Sequence, residues 1–386
     1  MRLRTAVATA TTVLGAGTAA IVVAGRYGSR FALRPSAESA AREGAVTVHA
    51  VSEDRVTLTR TAASARRGVY ALVDAAASAV APGDVHAIAG DVVDGTAYTV
   101  TRKLLAVPHG TLAAGTAVRL SPQVHRGNPR AALGLDYTEV AVPGPLGTLP
   151  GWYLHGDRRT WVITVHGLGT TRELAMNVLP ALHHERFTQL VLGYRGDPGA
   201  PAAPDGLGHL GRTEWRDLDA AMRYAVEYGA ERIVLYGWSV GATMALHAHR
   251  LSPVRDRVAG LVLDSPVLDW RATVGAAADR HGLPAPFKPL AVRAAEGRWG
   301  SRAGEGQRPA RMGAAPADPA PPTVPALLLH GPEDTLAPWD SSRELAARYP
   351  ERVVLHTVRG AQHGAMWNAD PASYEETLRR FLTPLM

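Results

Sequence analysis

Ser239 sits in the stretch Gly237-Trp238-Ser239-Val240-Gly241, between a short apolar run (Ile233 to Tyr236) and an Ala-rich run with helical spacing. A chain that passes from strand to helix through one residue turns too sharply for a Cβ on either side, which accounts for two glycines. The serine is then expected at the tip of the turn, with the positive end of a helix dipole behind it. A serine hydroxyl is a poor nucleophile near neutral pH. It needs a base within hydrogen-bond reach, and the base needs an acid to orient it.

The elements that must position such a group follow from hydrophobic patterning. After about residue 136, VITVHG (162–167), QLVLGY (189–194), RIVLYG (232–237), AGLVLDS (259–265) and VPALLLHG (324–331) are near-continuous apolar runs. Strands covered on both faces look like this and belong to parallel sheets. Between them lie helical patterns; in 213–228 Trp215, Leu218, Ala221, Met222, Ala225 and Val226 share one face, with Thr213 as the expected N-cap. Alternation of this kind predicts an α/β fold with a doubly wound, mostly parallel sheet. Its ligand chemistry belongs at the carboxyl ends of the strands.

With the strand–turn–helix context in place, GWSVG resembles the nucleophile turn of the α/β-hydrolase superfamily over roughly residues 136–386. The resemblance implies a triad in the chain order serine, acid, histidine. HGPEDTLAP (330–338) supplies Asp334 in the family's H-G-x-x-D-x-x-x-P form, and the Gly-flanked loop of RGAQHGAMW (359–367) supplies His363. Glu333, adjacent to Asp334, and Asp264, at the end of another strand where some relatives carry their acid, are rival acids. His356 lies inside a strand pattern and reads as a packed sheet residue. The resemblance also implies an oxyanion hole from the backbone N–H groups of Val240 and Leu168, the latter in HGLGT (166–170), with His166 orienting that loop. Arg195 and Asp197 of YRGD (194–197) either brace the site or belong to a surface loop. More narrowly, GWSVG, TEW (213–215), LDSP (263–266) and WNADP (367–371) look like a group of membrane-anchored actinobacterial serine hydrolases.

Other regions frame this unit. Residues 266–322 interrupt the alternation between two expected strands, begin with helix-like sequence and end in GSRAGEGQRPARMGAAPADPAPP. Their place predicts a lid. Residues 46–130 show short alternating runs such as VTVHAV and RVTLT, which predict a small β-rich domain. Thr5 to Gly25 is a stretch of 21 residues without a charge between MRLR and RYGSR. As a helix it would be about 31 Å long, enough for a hydrocarbon core; a cleaved secretory signal, which shares the basic start, and an interfacial or soluble segment are the alternatives. The expected division is a transmembrane anchor at 1–30, the β-rich domain at 31–135 and the hydrolase-like domain with its lid at 136–386.

Composition excludes several functions. The 386-residue chain has no cysteine, which removes disulfides, thiolate chemistry and Cys-type zinc sites. Residues 1–45 hold six arginines against two glutamates, four of the six net positive charges, so the folded part lacks the basic stripe of a nucleic-acid reader. GLGHLG (206–211) matches a dinucleotide fingerprint by letter only, because no strand precedes it. His183-His184-Glu185 and the pair His247 and His249 lack the same-face spacing of metal ligands. The expectation is a membrane-anchored serine hydrolase cleaving a small-molecule ester without metal or organic cofactor. A peptidase, a thioesterase and a non-catalytic membrane-bound binding protein are the alternatives.

Overall fold

The computed structural model describes residues 44–75, 84–204, 206, 208–280, 289 and 321–386. The expected transmembrane segment and most of the expected lid lie outside them. Among the described residues no helix is long and apolar enough to cross a membrane.

Six antiparallel strands form the first unit: β1 (Val46–Val51), β2 (Arg55–Thr59), β3 (Tyr70–Asp74), β4 (His86–Gly95), β5 (Thr99–His109) and β6 (Ala117–Ser121). They close into a barrel in the order β1-β2-β5-β4-β3-β6. The alternation explains the interior: Val46 and Val48 of β1 and Val56 and Leu58 of β2 point inward and are buried. Closure pairs β1 with β6, Val46 opposite Val118, and leaves no free edge to recruit other chains. Residues 122–137, with the short helix α1 (Pro129–Leu133), pack on the second unit through Val124, Leu133 and Tyr137.

The second unit is an eight-stranded sheet of β7 (Thr138–Gly144), β8 (Gly147–Leu154), β9 (Thr160–Val165), β10 (Thr188–Leu192), β11 (Arg232–Trp238), β12 (Val258–Asp264), β13 (Ala326–His330) and β14 (Val353–Thr357). Its order is β14-β13-β12-β11-β9-β10-β8-β7. All six strands from β9 to β14 run parallel, and the β7–β8 hairpin adds an antiparallel edge. Both faces are covered, which is why these strands read as continuous apolar runs. Ile163, Leu235 and Leu263 face one core with α3 (Trp215–Glu227) and α4 (Val240–Leu251). Val162, Val234 and Val262 face the other, with α2 (Leu179–His184) and α8 (Pro371–Leu382). Three further helices are α5 (Trp270–Arg280), α6 (Trp339–Arg348) and α7 (Met366–Ala369).

One local expectation is corrected and another is met. Thr213 does not cap α3: the cap position is Glu214, and the Thr213 hydroxyl meets His209 Nδ1 at 3.1 Å instead. GLGHLG is no phosphate loop; a Cβ on its Gly211 would lie 2.9 Å from the Val240 carbonyl oxygen, so this turn packs directly on α4. The helix-like start of the 266–322 insertion is α5, and Asp269 accepts the Ala272 N–H at 2.9 Å at its beginning.

Candidate active site

The chain goes from β9 to a neighbour on one side, β10, then returns to the other side with β11. In such sheets the crevice at this switch is where ligands bind. The loop after β9 carries Leu168 and the turn after β11 carries Ser239, so both border it.

The turn at Ser239 is strained, with φ 52° and ψ −114°. A non-glycine residue in this region costs about 1–3 kcal/mol and persists only when its surroundings impose it. Here they do. The Ser239 N–H donates to the Asp264 carbonyl at 2.8 Å, and α4 begins at the next residue. A Cβ on Gly237 would lie 2.3 Å from the backbone of Gly241, and one on Gly241 would lie 2.3 Å from the Val165 carbonyl oxygen. Both glycines are therefore required by helix and strand approaching closely.

The three residues singled out from sequence come together. Ser239 Oγ is 2.7 Å from His363 Nε2, and His363 Nδ1 donates to Asp334 Oδ2 at 2.8 Å. They are brought there by the carboxyl ends of β11, β13 and β14. Asp334 Oδ1 accepts the N–H groups of Leu336 and Ala337 at 2.8 and 2.9 Å, which fixes the carboxylate plane. Burial pushes Asp334 up, but the His363 charge and the His330 and His363 hydrogen bonds outweigh it and hold the group well below the usual carboxylate range. The carboxylate is charged and aimed at the imidazole.

The rival acids do other work. Glu333 Oε2 accepts the Gly360 N–H at 3.0 Å and steadies the turn after β14. Asp264, wholly buried, accepts the Tyr374 hydroxyl at 2.8 Å and the Ser265 hydroxyl at 2.7 Å. Burial pushes it up to about 7, against those two hydrogen bonds. Ser265 Oγ in turn accepts the Gly364 N–H at 3.0 Å, so Asp264 supports the histidine loop from below. His356 lies in β14, with its Nδ1 3.4 Å from the Thr377 hydroxyl.

The loop after β9 lies against the serine: a Cβ on Gly167 would be 3.0 Å from Ser239 Cβ. The Gly167 carbonyl is met by His166 Nδ1 and the Thr170 hydroxyl, each at 2.9 Å. Because the peptide unit is planar and trans, pinning this carbonyl fixes the direction of the Leu168 N–H. His166 Nε2 is 2.7 Å from Asp197 Oδ2, which also accepts the Tyr194 N–H at 2.8 Å. Asp197 thus braces the loop through His166. Arg195 turns away and pairs with the buried Asp217, Nε to Oδ2 at 2.8 Å.

His330 carries a part that sequence reasoning left unassigned. Fully buried, it donates from Nε2 to Asp334 Oδ2 at 3.1 Å, while its Nδ1 accepts the Ser342 hydroxyl at 2.7 Å. Its signal was present as the histidine of the H-G-x-x-D pattern. Ser265 and Asn368 lay within LDSP and WNADP without an assigned role, and Tyr374 carried no mark. His249 Nε2 accepts the Thr323 N–H at 3.2 Å.

Comparison with known proteins matches the barrel and the sheet unit to separate family models. Residues 162–377 match the family model described as the alpha/beta hydrolase family, and residues 47–121, the barrel, match a domain of unknown function (DUF8805). The chain has no match among curated proteins. Among solved structures it is similar to the Pyrococcus furiosus esterase Pf2001, at 20% identity over 67% of this chain and 94% of that one, with a TM-score of 0.52. Two further similar structures are a thermophilic esterase from Thermogutta terrifontis (19% identity, 64% and 98% covered, TM-score 0.44) and an esterase from the archaeon Pyrobaculum calidifontis (16%, 65% and 86%, 0.47). At these identities the likeness is one of fold.

Proposed function

The chain belongs to the alpha/beta hydrolase family, and on that premise we propose that it is a serine hydrolase that cleaves a carboxylic ester through an acyl-enzyme. One observation carries the reading: Ser239 Oγ, His363 and Asp334 form an unbroken hydrogen-bonded chain at 2.7 and 2.8 Å. A binding protein on the same fold has no need of this chain, nor of a strained serine at its head.

In the proposed cycle Ser239 Oγ attacks the ester carbonyl carbon as His363 Nε2 takes its proton. Asp334 stays ionised, holds the tautomer and stabilises the imidazolium. The carbonyl oxygen becomes negative in the tetrahedral state, and the N–H groups of Val240 and Leu168 are the proposed donors, each worth about 2.7–4 kcal/mol. The imidazolium returns its proton to the departing alcohol, leaving acyl-Ser239. Water then attacks with His363 as base, releasing the acid and restoring the hydroxyl. The uncharged stretch from Thr5 to Gly25 supports a further proposal, attachment of this unit to a membrane.

The test is turnover of p-nitrophenyl acetate by the wild-type chain and by Ser239→Ala. The variant is expected to lose activity by a factor on the order of 10⁴ or more. Equal turnover by the two excludes Ser239 as the nucleophile.

A further inference from the structure

We propose that the barrel positions the His363 loop, acting through one buried clamp between Gly68-Val69 and Asn368; this rests on the serine-hydrolase reading above. Asn368 is fully buried and lies five residues beyond His363 in the chain. Its carbonyl accepts the Val69 N–H at 2.8 Å, and its side-chain Nδ2 donates to the carbonyls of Val69 at 2.7 Å and Pro122 at 2.9 Å. Val69 leads into β3 and Pro122 directly follows β6, so one side chain of the hydrolase unit grips two neighbouring barrel strands.

The barrel side of the clamp is built with some rigour. Gly68 has φ +90°, and a Cβ there would lie 1.8 Å from the Asn368 carbonyl oxygen. Arg102, on β5 and fully buried, donates to the carbonyls of Ser64, Arg66 and Gly68 at 2.9, 2.6 and 2.6 Å. Asp91 of β4 accepts the Gly68 N–H at 2.6 Å. Burying a guanidinium is costly; Asp91 offsets part of that cost by its charge, and the two terminal nitrogens of Arg102 hold the shape of one loop.

The segment from His363 to Asn368 has little room to absorb a shift. Gly364 is tied to Ser265 at 3.0 Å, Ala365 N–H donates to the Gln362 carbonyl at 3.0 Å, and Ala365 and Met366 are buried. A displacement at Asn368 is therefore passed to His363, whose Nε2 must stay 2.7 Å from Ser239 Oγ. Misplacing a catalytic group by about 1 Å costs on the order of 10²-fold in rate.

The test uses the full chain and four variants: Gly68→Ala, Asn368→Asp, the two combined, and Val48→Ala, which removes buried volume from the barrel core away from the clamp. Each is measured below its own thermal transition for kcat and KM on p-nitrophenyl acetate and for the rate at which a fluorophosphonate labels Ser239. Both clamp variants are expected to lose about 10- to 100-fold in kcat and in labelling rate, with KM within about two-fold. The double clamp variant is expected to be little worse than the weaker single one, since both break one contact. Val48→Ala is expected to unfold at lower temperature with kcat near wild type. A folded clamp variant with wild-type kcat and labelling overturns the inference, as does an equal kcat loss in Val48→Ala. A wild-type chain that is not labelled at all removes the hydrolase reading and this inference together, an outcome distinct from the other two.

Discussion

His330 and His363 donate to the same oxygen of one carboxylate, Asp334 Oδ2, at 3.1 and 2.8 Å. The first imidazole is itself held by the Ser342 hydroxyl at 2.7 Å, which fixes the tautomer that carries a proton on Nε2. The hydrogen-bonded chain thus runs through five residues, and His330 keeps Asp334 oriented and charged. His330→Leu removes one donor from a buried carboxylate, worth about 1.5–3 kcal/mol for a bond to a charged group. The expected result is a loss of roughly 10- to 100-fold in kcat, with KM little changed, and Ser342→Ala is expected to lose a few-fold. Steady-state kinetics on a soluble ester check both.

Ser239 holds φ 52° as a non-glycine residue, and glycine would adopt this conformation without strain. Ser239→Gly should be inactive yet more stable than wild type by about 1–2 kcal/mol. For a unit of this size that corresponds to a rise of about 2–4 °C in the midpoint of thermal unfolding. A lower midpoint would show that the turn is not strained.

Asp264 is pushed from its ordinary 3.8 up to about 7 by burial. Between those values the folded chain holds a proton that the unfolded chain has released. Stability therefore declines as pH rises through this window, by at most about 1.4 kcal/mol per pH unit, and levels off above it. Asp264→Asn abolishes the decline. Its thermal midpoint relative to wild type should be higher at pH 8 than at pH 5; an equal difference at both would contradict the assignment.

His86, at the start of β4, behaves in the opposite sense. Burial lowers it from 6.5 to about 4, helped by His109, Arg126 and His125 and opposed by a hydrogen bond to Val124. Its ring centroid is 5.9 Å from that of His109. As pH falls from 6.5 towards 4 the unfolded chain gains a proton that the folded barrel refuses, so stability present above 6.5 is lost in acid. His86→Gln is expected to lose less of its thermal midpoint than wild type between pH 7.5 and pH 5.

Much of the sheet was legible because strands covered on both faces need apolar residues at every position. VITVHG, RIVLYG and VPALLLHG fall on β9, β11 and β13. The barrel strands were legible from alternation, but their closure was not, since pairing Val46 with Val118 is a long-range register. The β7–β8 hairpin was hidden by Pro143, Gly144 and Pro150, which break its pattern. Ser239 announced itself through two glycines whose absent Cβ atoms have a backbone reason. His330 and Asn368 fell inside quoted motifs, HGPEDTLAP and WNADP, but nothing in those motifs gave their roles. What they do depends on where a ring and an amide land after folding.

The most direct measurement is the mass of the intact wild-type chain after treatment with a fluorophosphonate, followed by mapping of the modified peptide. A single phosphonyl adduct on Ser239 is expected, absent from Ser239→Ala and formed much more slowly in His363→Ala. An unmodified chain, or an adduct on another residue that persists in Ser239→Ala, would contradict it.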